Sequence, residues 1–377
     1  MNSKTNLNEK IVCRVCLTLV LTALAQNAHA YSYKIKTSNG TKIVWPNSYV
    51  TFRAGSGSFP PGSPYRSAFV QANQYWNQTP AKFTFGSPVW GDTSLKRGNG
   101  QSEIWFSTDQ NALKNAPAIC YTWMHSSGGR LWFKEADIIF DANRLWSPYT
   151  YQYELSPYGG PYRPFITTAI HEMGHALGLG HENRWYNVMG QDYTHVNTHG
   201  SYTRGYAGAD ATQGALFLYG KTGSPFTEDL AVTHWKYDKA GGEYSVHTPT
   251  VIYNQNMNVV AWDTLNGMRR FSVRRGDAYH AQFTFENNGY NTQNNVKLAV
   301  YISTNAVITS SDQFLGEGQI GSLPAGAVWT TTIGLTIPNN LTAGATYYLG
   351  VILDHKDNVK EFNEINNASY LQIRIVP

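Results

Sequence analysis

The sequence HEMGHALGLGH, residues 171–181, spaces three histidines in the pattern H-E-x-x-H-x-x-G-x-x-H. Residues four apart lie on one face of a helix, so His171 and His175 can present their imidazole nitrogens to a single ion. Gly178 can adopt the positive φ that ends a helix and turns the chain, which would bring His181 to the same ion. The spacing therefore predicts a zinc site with three histidine ligands.

The same stretch also predicts the kind of zinc site. A zinc ion held by three protein ligands keeps a fourth position for water, which is the arrangement of catalytic rather than structural sites. Glu172 follows the first ligand and is placed to take the proton of that water. A lone histidine on an apolar helix face is more often a core residue than a ligand, but the five fixed positions of this motif favour a zinc hydrolase.

A methionine, Met189, lies eight residues beyond the third histidine, and residues 171–189 resemble the signature of the metzincin superfamily of zinc endopeptidases. The short interval before the methionine is most similar to the matrixin branch. The resemblance implies an α+β catalytic domain with a twisted mixed sheet plus helices, and it implies hydrolysis of a protein or peptide substrate. The site that it implies consists of zinc ligands His171, His175 and His181, general base Glu172, and Met-turn methionine Met189.

The segment after the methionine, residues 190–208, is expected to be a loop that walls the pocket for the substrate side chain on the leaving-group side. Gln191 occupies the position at which astacins and serralysins have a tyrosine that can reach the metal. Tyr193, two residues further on, is interpreted as a wall residue. The candidates for substrate specificity are Asp192, Tyr193, Thr194, His195, Val196 and His199.

Local patterns predict the other elements of a catalytic domain spanning residues 31–220. Apolar spacing indicates a helix over residues 67–77 and a closing helix over 210–219, and strands are predicted at 103–106 and 136–141. By the metzincin resemblance, the second of these strands lies along the active-site cleft. There it would pair with an extended substrate at the sheet edge.

The pattern changes beyond about residue 230 to apolar or alternating runs separated by Gly, Asn and Pro, which predicts an all-β immunoglobulin-like sandwich. Residues 268–377 resemble the CARDB family, a bacterial module linked by name to cell adhesion. The matching pieces are ENNG (286–289), YISTN (301–305) and DHKDNVKEFNEINN (354–367). The resemblance implies a domain that binds substrate or a cell surface. Residues 221–267 match less well and are interpreted as a linker or additional strands.

The closing stretch of this domain is acidic, and Asp354, Asp357 and Glu361 offer the hard oxygen ligands that calcium prefers. A structural Ca²⁺ site is one interpretation of these residues. A solvated hairpin between two strands is the other, and it is favoured because the stretch contains no glycine-containing calcium loop.

Residues 1–30 have the pattern of a secretory signal peptide, in which Lys4 and Lys10 precede an apolar stretch and Ala28-His29-Ala30 forms a small-x-small cleavage site. The uninterrupted apolar stretch from Val15 to Ala25 is too short to span a bilayer comfortably, so stable membrane insertion is not expected. We expect a secreted, extracellular protein, with a periplasmic location as the less favoured alternative.

The composition of the chain bears on its partners and on its cysteines. The 29 Lys and Arg residues stand against 25 Asp and Glu without a clustered basic stretch, so no nucleic-acid partner is expected. Cys13 and Cys16 lie in the expected signal peptide, and Cys120 is predicted to be a buried strand residue. The main alternative to a protease is an adhesin or carbohydrate-binding protein that carries a vestigial zinc domain. Zinc-dependent hydrolysis of a non-peptide substrate is another, because a three-histidine site activates water for several substrates.

Overall fold

The structure, a computed structural model, describes residues 40–182, 187–190, 196–233 and 250–377. The expected signal peptide lies outside the described residues. So do Gln191 and the specificity candidates Asp192, Tyr193, Thr194 and His195. Within the described ranges, no helix is long and apolar enough to cross a membrane.

The elements follow one another in two blocks. The helices are α1 (Pro64–Asn77), α2 (Gln110–Leu113), α3 (Phe165–Leu177) and α4 (Ala209–Tyr219), with short 3₁₀ turns at Gln152–Glu154 and Ser156–Tyr158. The strands of the N-terminal block are β1 (Tyr49–Val50), β2 (Arg53–Gly55), β3 (Thr84–Phe85), β4 (Val89–Asp92), β5 (Glu103–Ser107), β6 (Ala118–Ser127), β7 (Arg130–Asp141), β8 (Trp146–Ser147), β9 (Arg163–Pro164), β10 (Val196–His199) and β11 (Tyr202–Gly205). The strands of the C-terminal block are β12 (Leu230–Thr233), β13 (Ile252–Asn254), β14 (Trp262–Leu265), β15 (Met268–Arg274), β16 (Ala278–Asn287), β17 (Gln293–Ser303), β18 (Gln313–Leu323), β19 (Val328–Thr336), β20 (Thr346–Leu353) and β21 (Ala368–Val376).

Helix α1 begins at Pro64, a little before the predicted start at residue 67. The side chain of Ser63 caps it by accepting a hydrogen bond from the backbone N–H of Tyr65 at 3.3 Å. Serine is favoured at the N-cap, and proline at the first helical position loses no hydrogen bond. The Ser63-Pro64 pair is thus a start signal that the apolar spacing alone does not contain.

The N-terminal sheet has the strand order β4-β2-β5-β7-β6, in which the first four strands run parallel and β6 runs antiparallel to β7. Gly128 and Gly129 adopt positive φ in the turn after β6, so the chain folds straight back along it. The predicted strand at 136–141 is the end of β7 and lies between β5 and β6. Its expected position at the sheet edge is therefore wrong, because the hairpin covers it and makes β6 the edge strand.

Helix α3 packs against helix α1 and against strands β6 and β7. Its first residue, Phe165, is fully buried and lies 4.7 Å from Phe140 of β7, measured between ring centroids. Phe52, Phe59 and other buried aromatic side chains fill the rest of this core. The helix that carries two of the motif histidines is therefore anchored to the sheet at its start. Cys120 is buried in β6, as predicted.

The C-terminal block is an all-β sandwich, as predicted. One sheet has the order β14-β15-β21-β20-β17-β18, and the other has β12-β16-β13 with β19 also paired to β16. Buried aliphatic and aromatic residues such as Phe271, Phe283 and Leu349 fill the space between the sheets. The described parts of residues 221–267 contribute the strands β12, β13 and β14 to these two sheets.

A separate apolar cluster joins the N-terminal block to the sandwich. Its members are Leu155 and Tyr158 from the former and Met268, Ala299, Tyr301, Ile308 and Tyr370 from the latter. Gly267, with φ of +72°, lies directly against this contact. A Cβ at this glycine would lie 1.3 Å from the carbonyl oxygen of Tyr158, so only glycine permits the two backbones to approach so closely.

Three buried carboxylates, Glu103, Glu135 and Asp137, lie beside one another where the start of β5 pairs with the middle of β7, and the sequence analysis did not single them out. Glu135 accepts backbone N–H bonds from Gly98 and Gly100, and Asp137 accepts one from Glu103 at 2.9 Å. Burial, and then the adjoining Glu135, raise the pKa of Asp137 to about 9. Asp137 therefore keeps its proton at neutral pH in the folded protein.

We predict that Gly267→Ala destabilises the protein more than Gly344→Ala does. Both glycines have positive φ, +72° and +81°, so both substitutions carry a cost of about 1–2 kcal/mol for the left-handed backbone. A methyl group at residue 344 meets no atom within 4 Å, whereas at residue 267 it would strike the backbone of Tyr158. The extra loss is expected to be at least about 2 kcal/mol. Thermal unfolding of both full-length variants measures it, and equal losses would contradict the close approach.

We predict that Asp137→Asn makes the protein more stable than the parent at pH 7–9. Below its ordinary pKa the carboxyl is protonated in both the folded and the unfolded chain. Between that value and about 9 only the folded state holds the proton, so the stability of the parent falls as pH rises. An uncharged amide does not contribute this loss, which is at most about 1.4 kcal/mol per pH unit. Urea unfolding from pH 5 to 9 measures the difference, and parallel curves for the two proteins would refute the prediction.

Candidate metal centre

The structure brings the three motif histidines together at the end of helix α3. The Nε2 atom of His181 lies 3.2 Å from Nε2 of His171 and 3.1 Å from Nε2 of His175. Within the described ranges, these three residues are the one group of three or more metal-ligating side chains whose ligand atoms lie within 4.8 Å of one another. Zinc–nitrogen bonds of 2.0–2.1 Å in tetrahedral geometry separate ligand nitrogens by about 3.3 Å. The two separations from His181 match this spacing, and the three imidazoles together are a donor set that suits zinc.

Backbone carbonyl groups set the orientation of the two helical imidazoles. Nδ1 of His171 lies 2.7 Å from the carbonyl oxygen of Val188, and Nδ1 of His175 lies 2.8 Å from that of Leu179. A carbonyl oxygen can only accept, so each Nδ1 carries the hydrogen and donates it. Each Nε2 then keeps its lone pair and points it at the shared centre, which is the tautomer that a metal ligand needs.

Helix α3 ends at Gly178, between the second and the third histidine of the motif. Gly178 adopts φ of +103°, and its N–H donates to the carbonyl of His175 at 3.0 Å. The N–H of Leu179 donates to the carbonyl of Gly174 at 3.0 Å, which completes a Schellman motif. This turn reverses the chain immediately after the second ligand, so it places the third ligand, His181, outside the helix and next to the other two.

Two aromatic side chains from distant parts of the chain satisfy the remaining carbonyl groups of the last helical turn. The indole N–H of Trp45 donates to the carbonyl of Ala176 at 2.8 Å, and the hydroxyl of Tyr219 donates to that of Leu177 at 2.7 Å. Carbonyl groups at a helix end have no partner within the helix and cost free energy when they are buried unpaired. These bonds therefore stabilise the end of the helix that carries the site.

The predicted Met-turn lies directly beneath the helix. Met189 is 2 % exposed, and a Cβ built at Gly174 would lie 2.3 Å from its sulfur. Gly174 stands between the two helical ligands, so the absence of a side chain there lets the methionine pack against the helix at the metal centre. The Met-turn also supplies Val188, whose carbonyl orients His171.

Asn187 holds the Met-turn in place, a role that the sequence analysis did not assign. Its amide nitrogen donates to the carbonyl of Glu182 at 3.1 Å, and its Oδ1 accepts the N–H of Met189 at 2.7 Å. The N–H of Glu182 also donates to the carbonyl of Met189 at 3.1 Å. Asparagine readily forms such a bond to the backbone two residues on, and this tendency was the one available sequence signal.

Glu172, the predicted general base, lies in helix α3 between the two helical ligands and is 5 % exposed. Its position in the helix is the predicted one. A carboxyl group buried in this way is largely shielded from bulk water, so its interactions with neighbouring polar groups are weakly screened.

The expected pocket wall differs from the prediction. Residues 196–205 form the β10–β11 hairpin rather than a loop. His199, a predicted specificity residue, has its Nε2 turned towards the sandwich, where it accepts the N–H of Ile308 at 2.8 Å. A partner distant in sequence thus holds this side chain against the sandwich, and a role of His199 in substrate specificity stays a prediction.

The acidic residues of the closing stretch, for which a hairpin is favoured over a calcium site, bond to separate partners. Asp354 accepts the N–H of Val359 at 2.7 Å, and Asp357 pairs with Lys360 at 2.9 Å. Glu361 accepts the amide of Asn367 at 2.9 Å and the N–H of Leu230. The structure does not converge the three carboxylates on one point, and the arrangement is that of a bonded turn before β21.

Comparisons with known proteins agree with both halves of this architecture. Residues 58–207 match the matrixin family, and residues 267–370 match the CARDB family. Among solved structures, a CARDB domain from Pyrococcus furiosus in complex with di-metal ions is 16 % identical, over 41 % of this chain and 95 % of that one, with a TM-score of 0.25. A domain of a putative cell surface protein from Methanosarcina acetivorans is 20 % identical, over 27 % and 78 %, with a TM-score of 0.21. The comparison with curated proteins finds no match.

We predict that Gly174→Ala weakens zinc binding. The new methyl group would displace Met189, and with it the turn whose Val188 carbonyl orients His171; overpacking of this kind costs about 1–3 kcal/mol. Competition with a chelator of known affinity measures the effect. The double variant Gly174→Ala/Met189→Ala removes the clashing sulfur and is expected to recover part of the zinc affinity. Unchanged zinc affinity in the single variant would contradict the packing.

Proposed function

We propose that this protein is a secreted zinc-dependent endopeptidase. The observation that carries the proposal is the convergence of three Nε2 atoms, from His171, His175 and His181, at the end of the helix that also contains buried Glu172. The match of residues 58–207 to the matrixin family supports a metalloprotease domain. The signal-peptide pattern of residues 1–30 supports export.

The three histidines would hold the zinc ion through their Nε2 atoms. Zinc bound there would supply Lewis-acid polarisation of the scissile carbonyl and would lower the pKa of water beside it. The Nδ1 hydrogen bonds of His171 and His175 place the ring hydrogen on Nδ1 and hold each ring turned for this role. Because these bonds end on backbone carbonyl groups, the orientation does not depend on the rotamer of another side chain.

Glu172 would carry the proton through the reaction. As the water oxygen bonds to the carbonyl carbon, the Glu172 carboxylate takes the proton that the water releases. It then gives that proton to the amine nitrogen as the carbon–nitrogen bond breaks. The carboxylate returns to its starting form, and no covalent bond between enzyme and substrate is needed.

The edge strand β6 is the element on which we expect an extended peptide to lie. Among the described strands, β6 pairs with β7 alone, so its other row of N–H and C=O groups faces away from the sheet. Helix α3 packs against β6, so a peptide paired with this strand would run past the metal centre. Backbone pairing of this kind binds substrates of varied sequence.

An adhesin with a vestigial zinc domain, the main alternative, would not need the details of the metal centre. Here the three nitrogens, both Nδ1 hydrogen bonds and the buried Glu172 occur together. The combination favours a working enzyme.

We predict that Glu172→Gln removes most turnover and leaves zinc bound, because it deletes the proton acceptor and no metal ligand. The expected loss in kcat is about 10²–10⁴-fold. His175→Ala is expected to lose both turnover and zinc. Digestion of a diverse peptide library, with zinc measured on each protein, distinguishes the two variants.

A third variant, Glu317→Gln, serves as the control because it changes a half-exposed carboxylate on the sandwich. It is expected to behave like the parent. Full activity of the Glu172→Gln protein would refute the mechanism. A zinc-loaded parent that cleaves no peptide would refute the endopeptidase.

A further inference from the structure

The β10–β11 hairpin packs directly against helix α3, which carries His171 and His175. A Cβ built at Gly205, the last residue of β11, would lie 2.9 Å from Oγ1 of Thr167 and 3.2 Å from Cδ1 of Ile170. Both residues belong to helix α3, and Ile170 precedes the ligand His171. The backbone of the hairpin thus rests on the turn of the helix from which the first zinc ligand emerges.

The first strand of the hairpin is fastened to the sandwich by Asn197, which is fully buried. The amide nitrogen of Asn197 donates to the carbonyl oxygens of Val232 and Ala368, each at 2.8 Å, and it lies 3.0 Å from that of Asn366. Val232 belongs to β12 and Ala368 to β21, which are strands of different sheets. One side chain from the N-terminal block therefore binds both layers of the sandwich.

Further hydrogen bonds extend this contact along the strand. The hydroxyl of Ser369 donates to the carbonyl of Thr198 at 2.9 Å, and the N–H of Gly200 donates to the carbonyl of Ala306 at 2.8 Å. The bond from Ile308 to His199 lies in the same row. Buried polar groups that lose such partners cost about 1–3 kcal/mol each, so the sandwich holds the hairpin firmly.

We propose that the C-terminal sandwich is a positioning element of the metal centre and acts through Asn197. The sandwich holds the hairpin, the hairpin bears on Thr167 and Ile170, and helix α3 in turn presents His171 to the other two ligands. Asn197 is thus a positioning residue that touches neither metal nor substrate. The expected effect on catalysis rests on the proposed function. The expected effect on the geometry of the three histidines does not.

Asn197→Leu in the full-length protein tests the proposal, because leucine has a similar size and donates no hydrogen bond. We expect kcat to fall about tenfold or more with little change in KM, since a small displacement of catalytic groups has effects of this size. We also expect a changed visible absorption spectrum of the cobalt-substituted protein, which reports the ligand geometry without any turnover. Ser369→Ala removes one bond of the same contact and is expected to give a smaller change in the same direction.

The control is Val296→Ala, which removes buried volume from the sandwich where β17 pairs with β18. It is expected to lower the unfolding temperature while the cobalt spectrum and kcat stay at their parental values. The proposal is overturned if Asn197→Leu and Ser369→Ala keep the parental spectrum and kcat, or if Val296→Ala changes both as much. A parent without peptidase activity whose cobalt spectrum responds to Asn197→Leu and not to Val296→Ala would overturn the proposed function and support the positioning role.

Discussion

Three imidazole nitrogens converging on one point constrain everything around them. Their lone pairs are polar, and His181 lies 3.1 and 3.2 Å from the other two, which is the spacing of ligands to a common ion. To hold them there, the chain must end a helix abruptly, return on itself and provide two carbonyl acceptors on the far side of the rings. Gly178 ends the helix, and Val188 of the Met-turn and Leu179 supply the two carbonyl acceptors.

The support for the site extends well beyond its local sequence. Trp45 and Tyr219 come from opposite ends of the N-terminal block and bond to the last helical carbonyl groups. The β10–β11 hairpin connects the helix to the sandwich, and Gly267 lets the two blocks approach at a second point. The C-terminal sandwich is therefore packed against the N-terminal block through buried contacts, unlike a module that is joined only by a flexible linker.

The histidine motif was predictable because its information is local: helical periodicity pairs two ligands, and a glycine ends the helix. The edge position of β6 could not be predicted from the sequence. It depends on which strand the β6–β7 hairpin leaves at the edge of the sheet, and the residue pattern of a strand is the same at the edge and in the interior. His199 and Asn197 illustrate the same limit. Their partners lie more than 30 residues away or on the other domain, so neither residue differs in sequence from an ordinary loop residue. Asp354, Asp357 and Glu361 share a short stretch, but the backbone directs their carboxylates to separate donors.

X-ray absorption at the zinc edge of the purified full-length protein tests the metal centre most directly. We predict one zinc ion per chain, bound by three imidazole nitrogens and one oxygen at about 2.0–2.1 Å. Four protein ligands, a sulfur ligand from Cys120, or the absence of stoichiometric zinc would contradict an open catalytic site formed by His171, His175 and His181.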